Sequence, residues 1–486
     1  MKVKNIKWIV ISVFLLIYWT CAFYLGSATV STWDQVDFVL GVEQFDLLNM
    51  QPHFPGYPLF ILGGMFLHNW IGDASHALTI FNKLLFMSTI VPVYLLSRRY
   101  VSAIPSAMIV LFTQTQPYFS TLLQQPISEG AAISILWWFI WSLHRAFQKK
   151  TMDSGIFPMI LFSILMGIRL SYAPVFCGIV FYWGWYWVRT KDWKGIVFQL
   201  MILAVSNFIW ISALIANVGG LQTFIRIAFG FTEGHFTEWG GTVAENDLSF
   251  LSRLWKLLLD NFLWVGVFAE SKVLLGIGSI LFIIACHSFW KKSGQMDVTL
   301  SSLVVILVFY FIWALFAQNI DKPRHILPLI FLAPAILFFY TNWTSKMMLT
   351  LMALYILLQG ILSINLMEQQ VREVPAVVQA EQYLSKEKGP LVVYTWEETR
   401  VFEFDQAPFE HKRIYTLDLF LNEVKQQPNR KIYITDHVLT GFQLQTDISI
   451  KKYVKKVKKF HSSSMFDPVY NDIILYEWVH DGGGNG

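Results

Sequence analysis

A chain of 486 residues, 55% hydrophobic, 16% aromatic and only 14% charged, with a mean hydropathy of +0.48, falls well short of the roughly 25% charged residues that coat soluble globular proteins. A cytosolic enzyme, a disordered protein and a collagen-like rod are excluded, and a formal charge of +4 spread over scattered basic residues points to no nucleic-acid partner. Cys21, Cys177 and Cys286 sit singly in apolar runs and make neither a disulfide framework nor a zinc site. What remains is an α-helical polytopic membrane protein.

Apolar stretches near the length of about 20 residues that a span needs occur around 7–26, 74–97, 101–123, 126–147, 155–170, 171–189, 196–217, 273–290, 299–317, 326–341 and 347–366. That predicts about 11 spans. The first run is too long for a cleaved signal peptide and leads straight to Trp33 and Asp34. Residues 57–71 are apolar but short, which suits a re-entrant or interfacial helix. Lys2, Lys4 and Lys7 put the N-terminus in the cytoplasm, and stepping across the membrane collects 14 basic residues inside against 6 outside. An odd number of spans then leaves the C-terminus outside. Residues 1–366 thus form a multi-span domain. Residues 367–486 change to a mixed composition, with strand-like runs at Leu391–Thr395, Lys431–Thr435 and Ile473–Trp478 and a helical pattern over 417–426. They read as a small extracytoplasmic α/β domain. Its run Lys451–Lys459 holds six lysines, which read first as a solvated edge and second as an anion site. The Gly483–Gly486 tail reads as disordered.

Ionisable residues at membrane depth are costly and therefore mark function. Asp34, Asp37, Glu43, Asp46 and His53 lie in the first outer loop, Lys83 and Glu129 in the outer halves of the second and fourth spans, Arg169 at the outer end of the fifth, and Lys322, Arg324 and His325 before the tenth. Arginine and lysine clamp phosphate oxygens, and a carboxylate shielded from water serves as a general base. Each residue also has a structural use. Asp34 and Asp37 fit a helix start, Arg169 fits a bridge to Glu129, and Lys83, Lys322 and Arg324 fit snorkelling anchors. Trp239, with His235 and Glu238 nearby, suits an interfacial aromatic before a sugar platform.

In the first loop, Asp34, Asp37, Gly41 and Gln44 recur at spacings of three and four with apolar residues between, predicting a helix on the membrane surface. Pro52, Pro55, Gly56 and Pro58 then stop any helix and fix His53 and Tyr57 in a stiff turn. This acidic start, Phe45-Asp-Leu, and Pro52-His-Phe-Pro-Gly-Tyr-Pro-Leu59 resemble the GT-C superfamily of membrane glycosyltransferases, in its protein O-mannosyltransferase and aminoarabinose-transferase-like branch. Gly167-Ile-Arg-Leu-Ser171 and Asp321-Lys-Pro-Arg-His-Ile-Leu-Pro328 follow in the expected order, so that the resemblance covers about 1–366.

The resemblance implies transfer of a sugar from a polyprenyl-phosphate donor on the non-cytoplasmic face. Asp34 matches the family's catalytic base, with Asp37 as the alternative because Gln35, not Glu, follows Asp34. Arg169 and Arg324, with Lys322 and His325, would hold the donor phosphate, and Asp46, His53, Tyr57, Glu129 and Lys83 would line the substrate. The acceptor is a glycan, a lipid or a protein. A divalent cation has hard oxygen ligands available in Asp34, Asp37 and Asp46, although the arginines alone can neutralise phosphate. The chain carries no Walker loop or Rossmann glycine fingerprint. The rival reading, a lipid or polysaccharide transporter, predicts polar residues across the full membrane depth rather than gathered at one end.

Overall fold

The computed structural model describes residues 3–26, 29–239, 241–242, 248–292, 294, 296–427, 429–446 and 449–479. The side chains of Glu238 and Trp239 and the Gly483–Gly486 tail lie outside what is described. The chain forms two compact units, one of residues 1–28 and 38–371 and one of residues 29–37 and 372–486.

The first unit is helical. Among the described residues, seven helices are long and apolar enough to cross a membrane: Ile6–Tyr24, Ala74–Ser97, Trp193–Asn217, Lys272–Lys292, Val298–Ala317, Pro323–Tyr340 and Lys346–Leu384. This is a multi-pass membrane protein. The other expected spans are helical but shorter or more polar. The 101–123 stretch divides into Ala103–Gln114 and Pro117–Leu123, because Pro117 has no N–H to continue a helix and pushes Gln116 into an extended conformation. The 155–189 stretch becomes Ile156–Ile168 and Phe176–Thr190 around a 3-10 turn that contains Pro174. The short apolar run is one helix of 14 residues, Pro58–Ile71.

A broken helix inside an apolar bundle frees backbone carbonyls that must find new partners. Gln359 and Ser363, four residues apart and so on one helix face, supply them. Gln359 Nε2 donates to Phe112 O at 2.7 Å, and Ser363 Oγ donates to Thr115 O at 2.6 Å. Asn82 does the same at the start of the helix Glu129–Lys149. Its Nδ2 donates to Ile127 O at 2.7 Å, and its Oδ1 accepts from Ala131 N at 2.8 Å. The residue between must be glycine, since a Cβ on Gly130 would stand 2.7 Å from the Asn82 Cγ.

The second unit holds a five-stranded sheet of β1 (Leu391–Thr395), β2 (Glu410–Arg413), β3 (Lys431–Thr435), β4 (Val454–His461) and β5 (Asp472–Trp478), in the order β2-β1-β3-β5-β4. β1 runs parallel to β2 and β3, while β5 is antiparallel to β3 and β4. All five residues of β1 are buried, as a strand between two parallel neighbours requires. Val392, Tyr394, Ile432 and Ile434 pack with Phe420, Val424 and Phe442 from the covering helices. The lysine run falls largely on β4, an edge strand. Lysines there keep the open edge from pairing with another chain.

Beneath this sheet Glu398 is 2% exposed. It accepts from Trp396 N at 2.9 Å and pairs with His437 Nδ1 at 3.0 Å. Burial works against a charge on His437, but the hydrogen bond and charge of Glu398, with Asp436 and Glu397, outweigh it and push His437 up to about 9. A raised folded-state value contributes stability that is complete below the ordinary value of 6.5 and is lost as pH rises through 9. Protection of the β1 and β3 amides, corrected for intrinsic exchange, is therefore expected to fall between these two pH values. In His437→Gln that slope should vanish. A wild-type protection factor flat across this window would refute the pairing.

Candidate functional site

The buried charges of the first unit meet at Glu129. This residue opens the helix Glu129–Lys149, where a carboxylate suits the positive end of the helix dipole. Arg169 reaches it from an extended residue between the helix Ile156–Ile168 and the turn Leu170–Val175, and Arg324 reaches it from the 3-10 turn Pro323–Ile326. Arg169 Nη2 lies 3.1 Å and Arg324 Nε 3.2 Å from the same carboxylate oxygen. The side chains are 1% exposed for Glu129, 9% for Arg169 and 12% for Arg324. One buried carboxylate thus faces two largely buried guanidiniums. Among the described residues neither Glu129 oxygen accepts a well-aligned hydrogen bond, so the contacts to the two guanidiniums are ionic rather than a bidentate fork.

The surroundings hold both arginines in place. Arg169 Nη1 donates to Ser128 Oγ at 2.8 Å. Tyr310 Oη donates to His325 O at 2.8 Å, fixing the turn that carries Arg324, and Tyr172 packs edge-on against Tyr310 at 5.6 Å. The chain before that turn is anchored by Arg253, which is 1% exposed and donates to Leu315 O at 2.5 Å and Gln318 O at 2.6 Å. Asn261 adds a bond to Ile320 O at 2.7 Å, and Lys256 pairs with Asp321. Lys322 is half-buried, with no ion-pair partner among the described residues. The sequence reading missed Tyr172, Tyr310 and Arg253. Only Tyr172, three residues after Arg169, lay close to a flagged motif.

The remaining predicted residues fall into separate groups. Lys83 is 1% exposed and donates to Gln124 Oε1 at 2.7 Å, while Gln124 Nε2 donates to Ala22 O at 3.2 Å. His53 Nε2 and Tyr57 Oη are 3.2 Å apart, with Phe38 edge-on to Tyr57 at 4.7 Å. Tyr57 also lies within electrostatic reach of Arg169, which links the proline-rich turn to the charge cluster. That turn has cis peptide bonds at Gln51–Pro52 and Phe54–Pro55, and it closes on Gly41, where a Cβ would stand 2.8 Å from Pro52 Cδ. Asp46 caps the turn Leu47–Asn49, accepting from Leu48 N at 3.0 Å and from Asn49 Nδ2 at 2.7 Å.

Asp34 and Asp37 lie on the predicted helix, which spans Trp33–Glu43. Thr32 Oγ1 accepts from Gln35 N at 3.4 Å and Gln35 Oε1 accepts from Ser31 N at 2.8 Å, a capping-box-like pairing. Gln35 therefore builds the helix start. Residues 29–37 belong to the second unit. There Asp37 is fully buried and its Oδ1 accepts from Arg400 Nε and Nη2, each at 2.9 Å. Trp33 lies under Arg413 at 4.8 Å and Arg400 at 5.5 Å. Asp34, by contrast, is half-buried. Among the described residues no group of three or more His, Cys, Asp or Glu side chains is placed to hold a metal ion. The carboxylates of Asp37 and Asp46 are engaged by Arg400 and by the cap.

Neither a family model nor a curated protein matches the sequence. Solved structures do match. The chain resembles ArnT from Cupriavidus metallidurans bound to undecaprenyl phosphate, with a TM-score of 0.57, 10% identity and 99% of each chain covered. It also resembles the apo form of the same protein, with a TM-score of 0.57 and 10% identity over 97% of this chain and 98% of that one. The oligosaccharyltransferase of Archaeoglobus fulgidus in the apo form matches with a TM-score of 0.55 and 11% identity, over 96% of this chain and 76% of that one. The chain thus has the fold of the GT-C membrane glycosyltransferases.

Proposed function

We propose that this protein is a glycosyltransferase that moves a sugar from a polyprenyl-phosphate carrier to an acceptor on the non-cytoplasmic side of the membrane. The observation that carries the reading is the buried Glu129–Arg169–Arg324 cluster, in a fold shared with a protein crystallised with undecaprenyl phosphate. Guanidiniums in a low-dielectric setting bind a phosphate ester strongly, and they bind the departing lipid phosphate, with its additional charge, more strongly still.

In the reaction an acceptor oxygen forms a bond to the anomeric carbon while the bond from that carbon to the phosphate oxygen breaks. The electron pair leaves with the lipid phosphate, where Arg324 and Arg169, with Lys322 and His325, take up the charge. Asp34 accepts the acceptor proton as general base. A single displacement inverts the anomeric centre. His53, Tyr57, Lys83 and Asp46 border the substrate in this reading, and Glu129 keeps the two guanidiniums together before the donor arrives. No step passes through a metal ion.

Proteoliposomes supplied with radiolabelled sugars on polyprenyl phosphate are the direct test, with envelope lipids and glycans as acceptors. Label is expected in an acceptor from at least one donor, with the anomeric configuration inverted. Lipid movement across the bilayer without any transfer would overturn the reading in favour of a transporter.

A further inference from the structure

The second unit contains an open cleft of about 420 Å³ that the proposed chemistry does not use, bordered by Trp396, Tyr415, Asp436, His437, Gln445 and Tyr470, among others. Its volume falls within the ordinary range for small-molecule sites. Two aromatic groupings form its walls. Trp396 and Tyr415 meet edge-to-face at 5.3 Å, and His437 and Tyr470 lie 4.6 Å apart. The first grouping is held from behind by the Arg413 guanidinium, 4.4 Å from the Trp396 ring and 4.9 Å from that of Tyr415. Tyr415 is 55% exposed, so its ring is open to a ligand in the cleft.

The polar groups restrict what that ligand is. The helix Asp436–Gln443 brings Asp436, His437 and Thr440 to the cleft, offering an acceptor, a donor and a hydroxyl. Asp436 Oδ1 already accepts from Ile474 N at 2.9 Å and His437 Nδ1 pairs with Glu398. A purely apolar ligand such as an acyl chain would still strip water from the Thr440 hydroxyl and from the remaining atoms of Asp436 and His437, at about 1–3 kcal/mol per group left unsatisfied. Among the described residues no lysine or arginine lines the cleft, and the charge of His437 is already balanced by Glu398. A phosphate or carboxylate ligand would therefore meet Asp436 without a counter-charge. A neutral saccharide satisfies both conditions, since its C–H faces lie against aromatic rings while its hydroxyl edge both donates and accepts.

We infer that the cleft bounded by Trp396, Tyr415, Tyr470 and the helix Asp436–Gln443 is a binding site for a neutral sugar unit, separate from the Glu129 cluster. Binding there needs no transfer activity, so the inference stands or falls independently of the glycosyltransferase reading.

The test uses the full chain in phosphatidylcholine nanodiscs, free of sugar-headed detergent, and saturation-transfer NMR. The probes are the methyl glycosides of glucose, galactose, mannose and N-acetylglucosamine, with methyl glucuronoside as the anionic control. At least one neutral glycoside is expected to receive saturation on the C–H protons of one ring face, and the glucuronoside at least tenfold less. Gly441 borders the cleft, and a Cβ there meets nothing within 4 Å. Gly441→Trp should therefore fill the cleft and abolish the signal, while Gly441→Ala, compatible with the helix, preserves it. Thr440→Arg, at an exposed position, blocks the same space should Gly441→Trp fold poorly. No saturation of any neutral glycoside, equal binding of the glucuronoside, or an undiminished signal in the blocked variants would each overturn the assignment.

Discussion

Glu129→Gln, with both arginines left in place, is expected to lower transfer by about 10²-fold or more and to destabilise the first unit by about 3–5 kcal/mol, because removing one member of a buried charge group leaves the others uncompensated. Here the remainder is two guanidiniums drawn to one oxygen at 3.1 and 3.2 Å. A neutral amide between them removes the attraction that Glu129 exerts on both, and the turn carrying Arg324 is expected to shift. Glu129→Gln combined with Arg169→Gln leaves a single cation, so the double variant should be less damaged than the sum of the two single losses. A coupling of about 1–3 kcal/mol is the expected size for groups in direct contact. Thermal unfolding in nanodiscs reads the stability half of this cycle and donor titration the functional half. Losses that simply add would mean that the carboxylate does not act through the arginines, and the cluster would lose its claim on the donor phosphate.

Much of the architecture was legible because membranes impose long apolar runs. The helices at 74–97, 193–217 and 298–317 lie close to where hydropathy puts them. Hydropathy fails where side chains repair a broken backbone. Nothing local to Phe112 and Thr115 announces that Gln359 and Ser363, more than 240 residues away, will donate to their carbonyls. Three strands of the second unit showed as apolar runs, whereas β2, with the sequence Glu-His-Lys-Arg, and β4, with its lysines, did not, because an edge strand has no need of an apolar pattern. The site divides in the same way. Arg169, Glu129 and Arg324 were visible as charges that lipid makes costly. The tyrosines beside them were hidden among 19 tyrosines, and Arg400 sits 363 residues from its partner in a stretch whose composition is ordinary.

That distant arginine separates the two first-loop aspartates and gives the second large effect. Asp34→Asn is expected to cut the turnover number by about 10²–10⁴-fold, the usual worth of a general base, with donor affinity and hydrogen exchange unchanged. Asp34 is half-buried in the first turn of its helix, and an amide there keeps the shape while losing the proton acceptor. Asp37→Asn should behave differently. Its carboxylate is wholly buried and takes two contacts of 2.9 Å from Arg400, a guanidinium that cannot be discharged. Breaking that pair is expected to cost about 3 kcal/mol and to show as faster exchange in Trp33–Asp37 and in the helix Glu398–Phe404, with any loss of transfer following from the disorder. A base must be able to take up a proton to act, and a carboxylate already neutralised by a guanidinium is a poor proton acceptor, which weighs against Asp37. Loss of transfer in Asp37→Asn with exchange unchanged, and full activity in Asp34→Asn, would reverse the assignment. Full activity in both variants would remove the first-loop base from the mechanism altogether.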